Sequence, residues 1–357
     1  MWLTQLAYYL FVYAKGAFGG KKNEALTIDM PFPVSVVLVA RNAEDFLATN
    51  LPPFLEQDFP VPYEVVVVND CSTDATEEIL RALSGRYPHL KVTYIRKDEK
   101  FTTNKKLALT VGIKAASHDW VLFSELDCAP AGKGWLASMQ GFFTPRNELV
   151  LGIQAFPAAK GFRNRWIRYN HLMWTLGYLG RAMMQRPYLA LSRNLAYRKT
   201  LFFEHKGYAG NVLTEYGEDD LFVQRAARNN VTYVNLNPAS KVICAIPSTS
   251  YGLRSFYHKY RLSARKYPLT TKLFLLGEPL SRLLFWALAL VIAFIDGLWP
   301  VALAVVALRW VVQAVVLFRA CKQLEDPGLW PLAWLFDTVG LLTDLQRSLA
   351  LFLRPAR

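Results

Sequence analysis

Three acidic groups stand out along the chain. Asn69-Asp70 directly follows the apolar run Glu64–Val68, Glu125-Leu126-Asp127 follows Trp120–Ser124, and Glu218-Asp219-Asp220 closes a run that begins at Glu215. Carboxylates can hold a hard cation, accept a ligand's N–H or take a proton from a hydroxyl. Acidic side chains also cap helices and form Asx turns, the role expected of Asp74 and Thr76. Charge at Glu218–Asp220 would likewise favour the macrodipole of a helix over Leu221–Arg228. For Asp70 and Asp127 the ligand-facing reading is the stronger, because of the elements that precede them.

Val34–Ala40 and Glu64–Val68 are continuous apolar runs of strand length, as expected for strands buried on both faces. Ala43–Phe54 lies between them as a helix ending at a Pro-rich turn. Glu77–Leu83 reads as a helix capped by Asp74 or Thr76, Lys91–Ile95 as a third strand, Asn104–Ala115 as a helix and Trp120–Ser124 as a fourth strand. Strand and helix alternating in this way predict a doubly wound α/β sheet. Its ligands sit beyond the carboxyl ends of the strands, where Asp70 and Glu125–Asp127 fall.

Four segments in this order resemble inverting glycosyltransferase family 2: VSVVLVARNAED at 34–45, VVVVNDCSTDAT at 65–76, VLFSELDCAP at 121–130 and GEDDLFVQRA at 217–226. SRNLAYRKTLFFEHKGY at 192–208 is similar to the family's acceptor-side segment. The resemblance covers roughly residues 31–265. It implies a GT-A fold, that is, a Rossmann-like catalytic domain with a mostly parallel sheet, binding a nucleoside-diphosphate-sugar, typically a UDP-sugar. It also implies that Ala40, Arg41 and Asn42 line the nucleotide pocket and that Asp70 recognises the base. Glu125-Leu126-Asp127 matches the family's DxD with Glu in the first place. Asp127 would then hold Mg²⁺ or Mn²⁺, and Glu125 would contact the ribose or the metal's water shell. Lys105 falls where the family often begins a helix with Lys. Glu218-Asp219 matches the ED motif, with Asp219 as catalytic base, Asp220 as its rival and Arg225 at the pattern's Arg; Leu221 departs from the pattern's final Asp. Processive members carry Q-x-x-R-W where this chain has His258-Lys259-Tyr260-Arg261-Leu262. Arg261 is matched and would stabilise the leaving diphosphate, with His258 as a third metal ligand. The missing Gln and Trp argue against a polymerising synthase. The intact Asp70, Asp127 and Asp219 argue against an inactive scaffold.

The rest of the chain points to a membrane. Of 357 residues 53% are hydrophobic and 19% charged, which excludes a disordered protein, and the net charge is +13. Lys160–Gly277 alone carries a net +14, so the basic excess is local and calls for a phosphate or an anionic surface. No nucleic-acid-binding motif accompanies it, so no nucleic-acid partner is expected. Gly161–Arg186 mixes Arg with aromatic residues and has no acid, which suits an interfacial helix or a core helix with one wet face. Leu283–Ile295 and Gly297–Leu308 are uncharged runs about a turn at Asp296–Pro300, suggesting a helical hairpin, and Arg309 must face protein or snorkel. Trp330–Leu353 carries Asp337, Asp344 and Arg347 and reads as an interfacial helix. Met1–Ala14 is apolar but lacks the marks of a signal peptide. The expected partition is 1–30 as an N-terminal anchor and basic linker, 31–270 as the catalytic domain and 271–357 as membrane-associated helices. Lys15, Lys21 and Lys22 place the catalytic domain on the cytoplasmic face of the inner membrane, near a lipid-linked or glycan acceptor. The spacing of Cys71, Cys128, Cys244 and Cys321 argues against disulfides and for a reducing compartment.

Overall fold

The computed structural model describes residues 1–19, 31–95, 105–145, 149–211, 214, 216–227, 231–247 and 250–352. Lys21, Lys22 and Glu215, singled out above, lie outside the described residues. The chain divides into two compact units. One comprises Lys22–Pro157 and Ala182–Pro247; the other comprises Met1–Lys21, Ala158–Arg181 and Ser248–Arg357. The segments 158–181 and 248–270, placed by the sequence partition in the central domain, thus cluster with the helical unit.

The first unit is built on strands Val34–Ala40 (β1), Tyr63–Asp70 (β2), Leu90–Ile95 (β3), Trp120–Phe123 (β4), Cys128–Pro130 (β5), Leu149–Leu151 (β6), Gln154–Ala155 (β7), Leu195–Arg198 (β8), Thr232–Val234 (β9) and Val242–Cys244 (β10). Seven form one sheet in the order β3-β2-β1-β4-β8-β6-β9, and β5-β10-β7 form a second. β3, β2, β1 and β4 are mutually parallel, whereas β8 runs antiparallel to both β4 and β6. Val36, Val37, Leu38 and Val65–Val68 are fully buried, the outcome expected of apolar runs covered on both faces. The helix Lys105–Ala115 packs onto β1 and β2 through Gly112, where a Cβ would lie 2.6 Å from Val37 Cγ1. The strand order reverses at β1, between β2 and β4, so the crevice opens where Ala40, Asp70 and Glu125 leave the sheet.

One expectation is extended here and another corrected. Asp74 makes the expected Asx turn, its Oδ1 accepting from Thr76 N–H at 3.1 Å, and both residues also brace two loops together. Thr76 Oγ1 accepts from Ala43 N–H at 2.8 Å and Asp74 Oδ2 from Glu44 N–H at 3.1 Å, which ties the β1 and β2 exits together. Cys128 and Cys244 are disulfide-bonded, facing each other across β5 and β10. Their 116-residue separation hides this pairing from any local reading of cysteine spacing.

In the helical unit, Leu269–Ala293 and Trp299–Gln323 are 25 residues each, long and apolar enough to cross a membrane. Only 28% of the most apolar stretch of each is buried, so these helices turn most of their greasy surface outward. The charges that interrupt the apolar runs point inward. Arg309 Nη2 reaches Asp337 Oδ2 at 2.8 Å and Gln5 Oε1 at 3.1 Å, so Arg309 faces protein. Arg282 donates to Asp337 Oδ1 at 2.9 Å and to Asp344 Oδ2 at 2.7 Å. The helix Ala333–Leu349 is therefore anchored by the acidic residues that, in the sequence, suggested a wet interfacial face. The N-terminal run is helical from Trp2 to Phe18, with a wider π-helical stretch at Tyr8–Tyr13. It presses so closely on Phe162–Met183 that a Cβ at Gly180 would lie 2.2 Å from Val12 O. Phe162–Met183 in turn buries Ile167, Tyr169, Leu172, Leu176 and Leu179, which makes it a core helix of this unit.

Candidate active site

Ala40 sits opposite Asn69 at the carboxyl ends of β1 and β2, which brings Arg41 beside Asp70; Arg41 Nη1 lies 3.5 Å from Asp70 Oδ2. Asp70 is buried and its Oδ1 has no hydrogen-bond partner among the described residues. A buried acceptor of this kind calls for a donor from outside the fold. Asn42 (φ +47°) and Cys71 (φ +53°) make the tight turns that let the two loops diverge around this point. Asn42 Oδ1 accepts from Thr73 N–H at 2.9 Å, joining the two loops.

Past β4, Glu125 and Asp127 enter a charged cluster. Lys105, at the start of its helix, donates to Glu125 Oε1 at 2.5 Å and lies 3.3 Å from Glu218 Oε1. Burial pulls the Lys105 ammonium down, but Glu125, Glu218 and Asp219 outweigh it and hold the pKa well above the usual lysine range. Arg193, just before β8, donates from Nε to Glu125 Oε2 at 3.0 Å and from Nη2 to Asp127 Oδ2 at 2.5 Å. Ser192 joins both acidic motifs. Its N–H donates to Asp219 Oδ2 at 2.9 Å and its hydroxyl to Glu125 Oε1 at 3.0 Å. Asp219 stands at the N-cap position of the helix Asp220–Ala226 without a side-chain cap bond, whereas Asp220 Oδ1 accepts from the neighbouring Leu221 N–H at 2.8 Å. Gly217 adopts φ +102° ahead of this helix, a conformation that glycine takes without strain. Burial, with the Glu218 and Asp219 charges adding to it, holds the Tyr208 phenol well above its ordinary pKa.

The structure thus gathers Lys105, Glu125, Asp127, Glu218 and Asp219 into one cluster and pairs Arg41 with Asp70. His258 and Arg261 belong to the helical unit, on the helix Ser250–Ala264, where Arg261 Nη2 lies 2.7 Å from His258 Nδ1. Arg225, matched to the motif's Arg, bonds the Gly207 carbonyl. Two cations make contacts that the sequence did not foretell. Arg193 lay inside a segment read as acceptor-side, and nothing local marks it as the partner of two carboxylates 66 and 68 residues away. Buried Lys106 faces Asn211 O, Thr214 O, Thr214 Oγ1 and Tyr216 O within 2.9 Å, gripping the segment that leads to Glu218. Lys106→Met removes the donor for all four and is expected to cost about 3 kcal/mol of stability. Denaturant unfolding checks this, and an unmoved midpoint would mean that the segment is held elsewhere.

The glycosyl transferase family 2 model matches residues 35–211, which span β1 to the Lys106-held segment. Among curated proteins, the chain is 28% identical over 207 residues to the poly(ribitol-phosphate) β-N-acetylglucosaminyltransferase TarS of Staphylococcus aureus, covering 58% of this chain and 33% of that one. It is 30% identical over 76 residues to the putative teichuronic acid biosynthesis glycosyltransferase TuaG of Bacillus subtilis, covering 21% of this chain and 30% of the relative. The chain therefore spans about a third of the length of these relatives. Among solved structures, the mannosyltransferase PcManGT of Pyrobaculum calidifontis, in complex with GDP-Man and Mn²⁺, superposes with a TM-score of 0.55 at 17% identity, covering 98% of this chain and 95% of the other. That likeness shows a shared GT-A fold. With the motif-bearing loops at the carboxyl ends of the sheet, residues 35–211 form a domain of the glycosyl transferase family 2 type.

Proposed function

We propose that the protein transfers a sugar, with inversion, from a UDP-sugar to a hydroxyl of a lipid-linked or polysaccharide acceptor at a membrane. The observation that carries this reading is the tie between Asp219 and the Glu125–Asp127 motif through Ser192. It sets a carboxylate base beside the groups that would face the donor's diphosphate. The unpartnered Asp70 Oδ1 suits the imide N–H of uracil. Arg41, exposed at the crevice rim, can follow the base or the phosphates. Asp219 takes the acceptor hydroxyl's proton as its oxygen attacks C1 of the sugar, and Lys105 and Arg193 stand close enough to the motif to share the charge released on the diphosphate. Displacement by the acceptor itself needs no protein nucleophile and inverts the anomeric centre.

Asp127 is the carboxylate suited to a divalent cation. Its side chain is 28% exposed at the cluster's edge, and among the described residues no group of three or more His, Cys, Asp or Glu forms a closed cage. One carboxylate with the donor's phosphate oxygens is the usual complement for Mg²⁺ or Mn²⁺. The ion supplies charge neutralisation of the leaving diphosphate. EDTA is expected to lower turnover about 100-fold, with recovery on adding Mn²⁺ or Mg²⁺, and Asp127→Ala should match the chelated enzyme. Full turnover in EDTA would exclude the ion. A panel of UDP- and GDP-sugars names the donor, and the anomeric configuration of the product tests inversion.

The outward-facing apolar surface of Leu269–Ala293 and Trp299–Gln323 supports membrane association. The basic residues after the first helix favour a cytoplasmic catalytic unit, and the Cys128–Cys244 disulfide weighs against a reducing compartment. Protease access in sealed vesicles of known orientation decides between the two faces.

A further inference from the structure

A cleft of about 450 Å³ opens on the helical unit between the helix Trp299–Gln323 and the turn that leads into Ala333–Leu349. Its walls include Trp310, Ala314, Trp330, Pro331 and Trp334, with the Trp310 and Trp334 rings 6.1 Å apart, and among the described residues no charged one lines it. Gln313 is the polar side chain in the lining and is 1% exposed. Its Nε2 makes two long contacts, to Tyr169 Oη at 3.4 Å and Ala333 O at 3.5 Å. Gln313 Oε1 and Trp310 Nε1 have no hydrogen-bond partner among the described residues. Three residues apart on one helix, they share a face. They leave a buried acceptor beside a buried donor, and a single hydroxyl can answer both. Leu308, Val311, Val315 and Phe318 are exposed on the same apolar helix, as suits a helix set in hydrocarbon.

We propose that this cleft holds a neutral membrane lipid of the diacylglycerol type, its chain between the tryptophans and its hydroxyl on Gln313 and Trp310. Apolar walls select the chain, the orphaned pair selects a hydroxyl next to it, and the lack of lining charge disfavours an anionic headgroup. The inference rests on the membrane reading above, but not on the identity of donor or acceptor.

The test is photolabelling of the full-length chain in detergent with a diazirine-bearing diacylglycerol, followed by peptide mapping. Label is expected in 310–334. Unlabelled diacylglycerol should compete for it about tenfold better than the same lipid with its hydroxyl acetylated, or than phosphatidylglycerol. Ala314→Trp fills the cleft and should lower labelling about tenfold, whereas Gln313→Leu should keep labelling but lose the preference for the hydroxyl. Equal labelling of wild type and Ala314→Trp, label spread over the exposed faces of both long helices, or a preference for phosphatidylglycerol would overturn the site. Flotation with vesicles separates the two claims. A chain that floats yet labels indifferently refutes the cleft alone, and a chain that does not float refutes the membrane reading as well.

Discussion

Asp219→Asn is expected to lower kcat by about 10²–10⁴-fold while leaving the unfolding midpoint near that of the wild type. The asparagine keeps an oxygen for the Ser192 N–H that now donates to Asp219 Oδ2, so the joint between the two acidic motifs survives. What it loses is the capacity to take a proton. Asp220→Asn should behave in the opposite way. Asp219 and Asp220 are equally buried, but the Asp220 carboxylate accepts from Leu221 N–H within its own helix turn instead of from the Ser192 that joins Glu125, so the change falls on folding more than on turnover. Glu218→Gln breaks the 3.3 Å contact to Lys105 and should give an intermediate loss, because Lys105 retains Glu125. Comparing the three in a donor-saturated assay, with melting curves alongside, separates base from scaffold. If Asp220→Asn is the silent fold and the dead enzyme, the base moves by one residue. If all three turn over normally, no carboxylate in this motif is the base and direct inversion fails.

How much of this could be read from the sequence follows from which interactions are local. β1, β2 and β4 were legible because strands buried on both faces must be apolar throughout, and VSVVLVA, VVVV and WVLF have no other use for such runs. Asp70 and Asp127 followed, since position relative to a strand end is itself local. The Asx turn of Asp74 was legible because it is local, whereas the bracing of a loop 30 to 33 residues away by Asp74 and Thr76 was not. The disulfide, Arg193 and Lys106 share that reason: their partners lie 66 to 116 residues distant, reached only when the sheet is assembled. Lys105 was singled out from the resemblance at a helix start, whereas its ion pairs with Glu125 and Glu218 lie on other elements and had no local sign.

Asp337→Asn carries the largest expected effect on stability, a loss of about 3–5 kcal/mol. Asp337 is fully buried and is the shared counter-ion of Arg309 and Arg282, at 2.8 and 2.9 Å. Neutralising it leaves Arg309 buried with Gln5 Oε1 as its remaining oxygen acceptor in this network, whereas Arg282 keeps Asp344 and the more distant Glu278. The two arginines should therefore respond differently to rescue. Arg309→Leu in the Asp337→Asn background removes the stranded charge and should recover most of the lost stability, because an apolar pair can replace a buried ion pair at little cost. Arg282→Leu should not, since it leaves Arg309 without a carboxylate partner in this network. Thermal unfolding of the full chain in one detergent checks both. An unchanged midpoint for Asp337→Asn would show that water reaches Arg309, and the helices would then pack more loosely than the structure has them. A rescue by Arg309→Leu would explain why an apolar segment carries arginine at all: its charge ties the Trp299–Gln323 helix to the first helix through Gln5 and to Ala333–Leu349 through Asp337, giving greasy helices one register where apolar packing alone permits several.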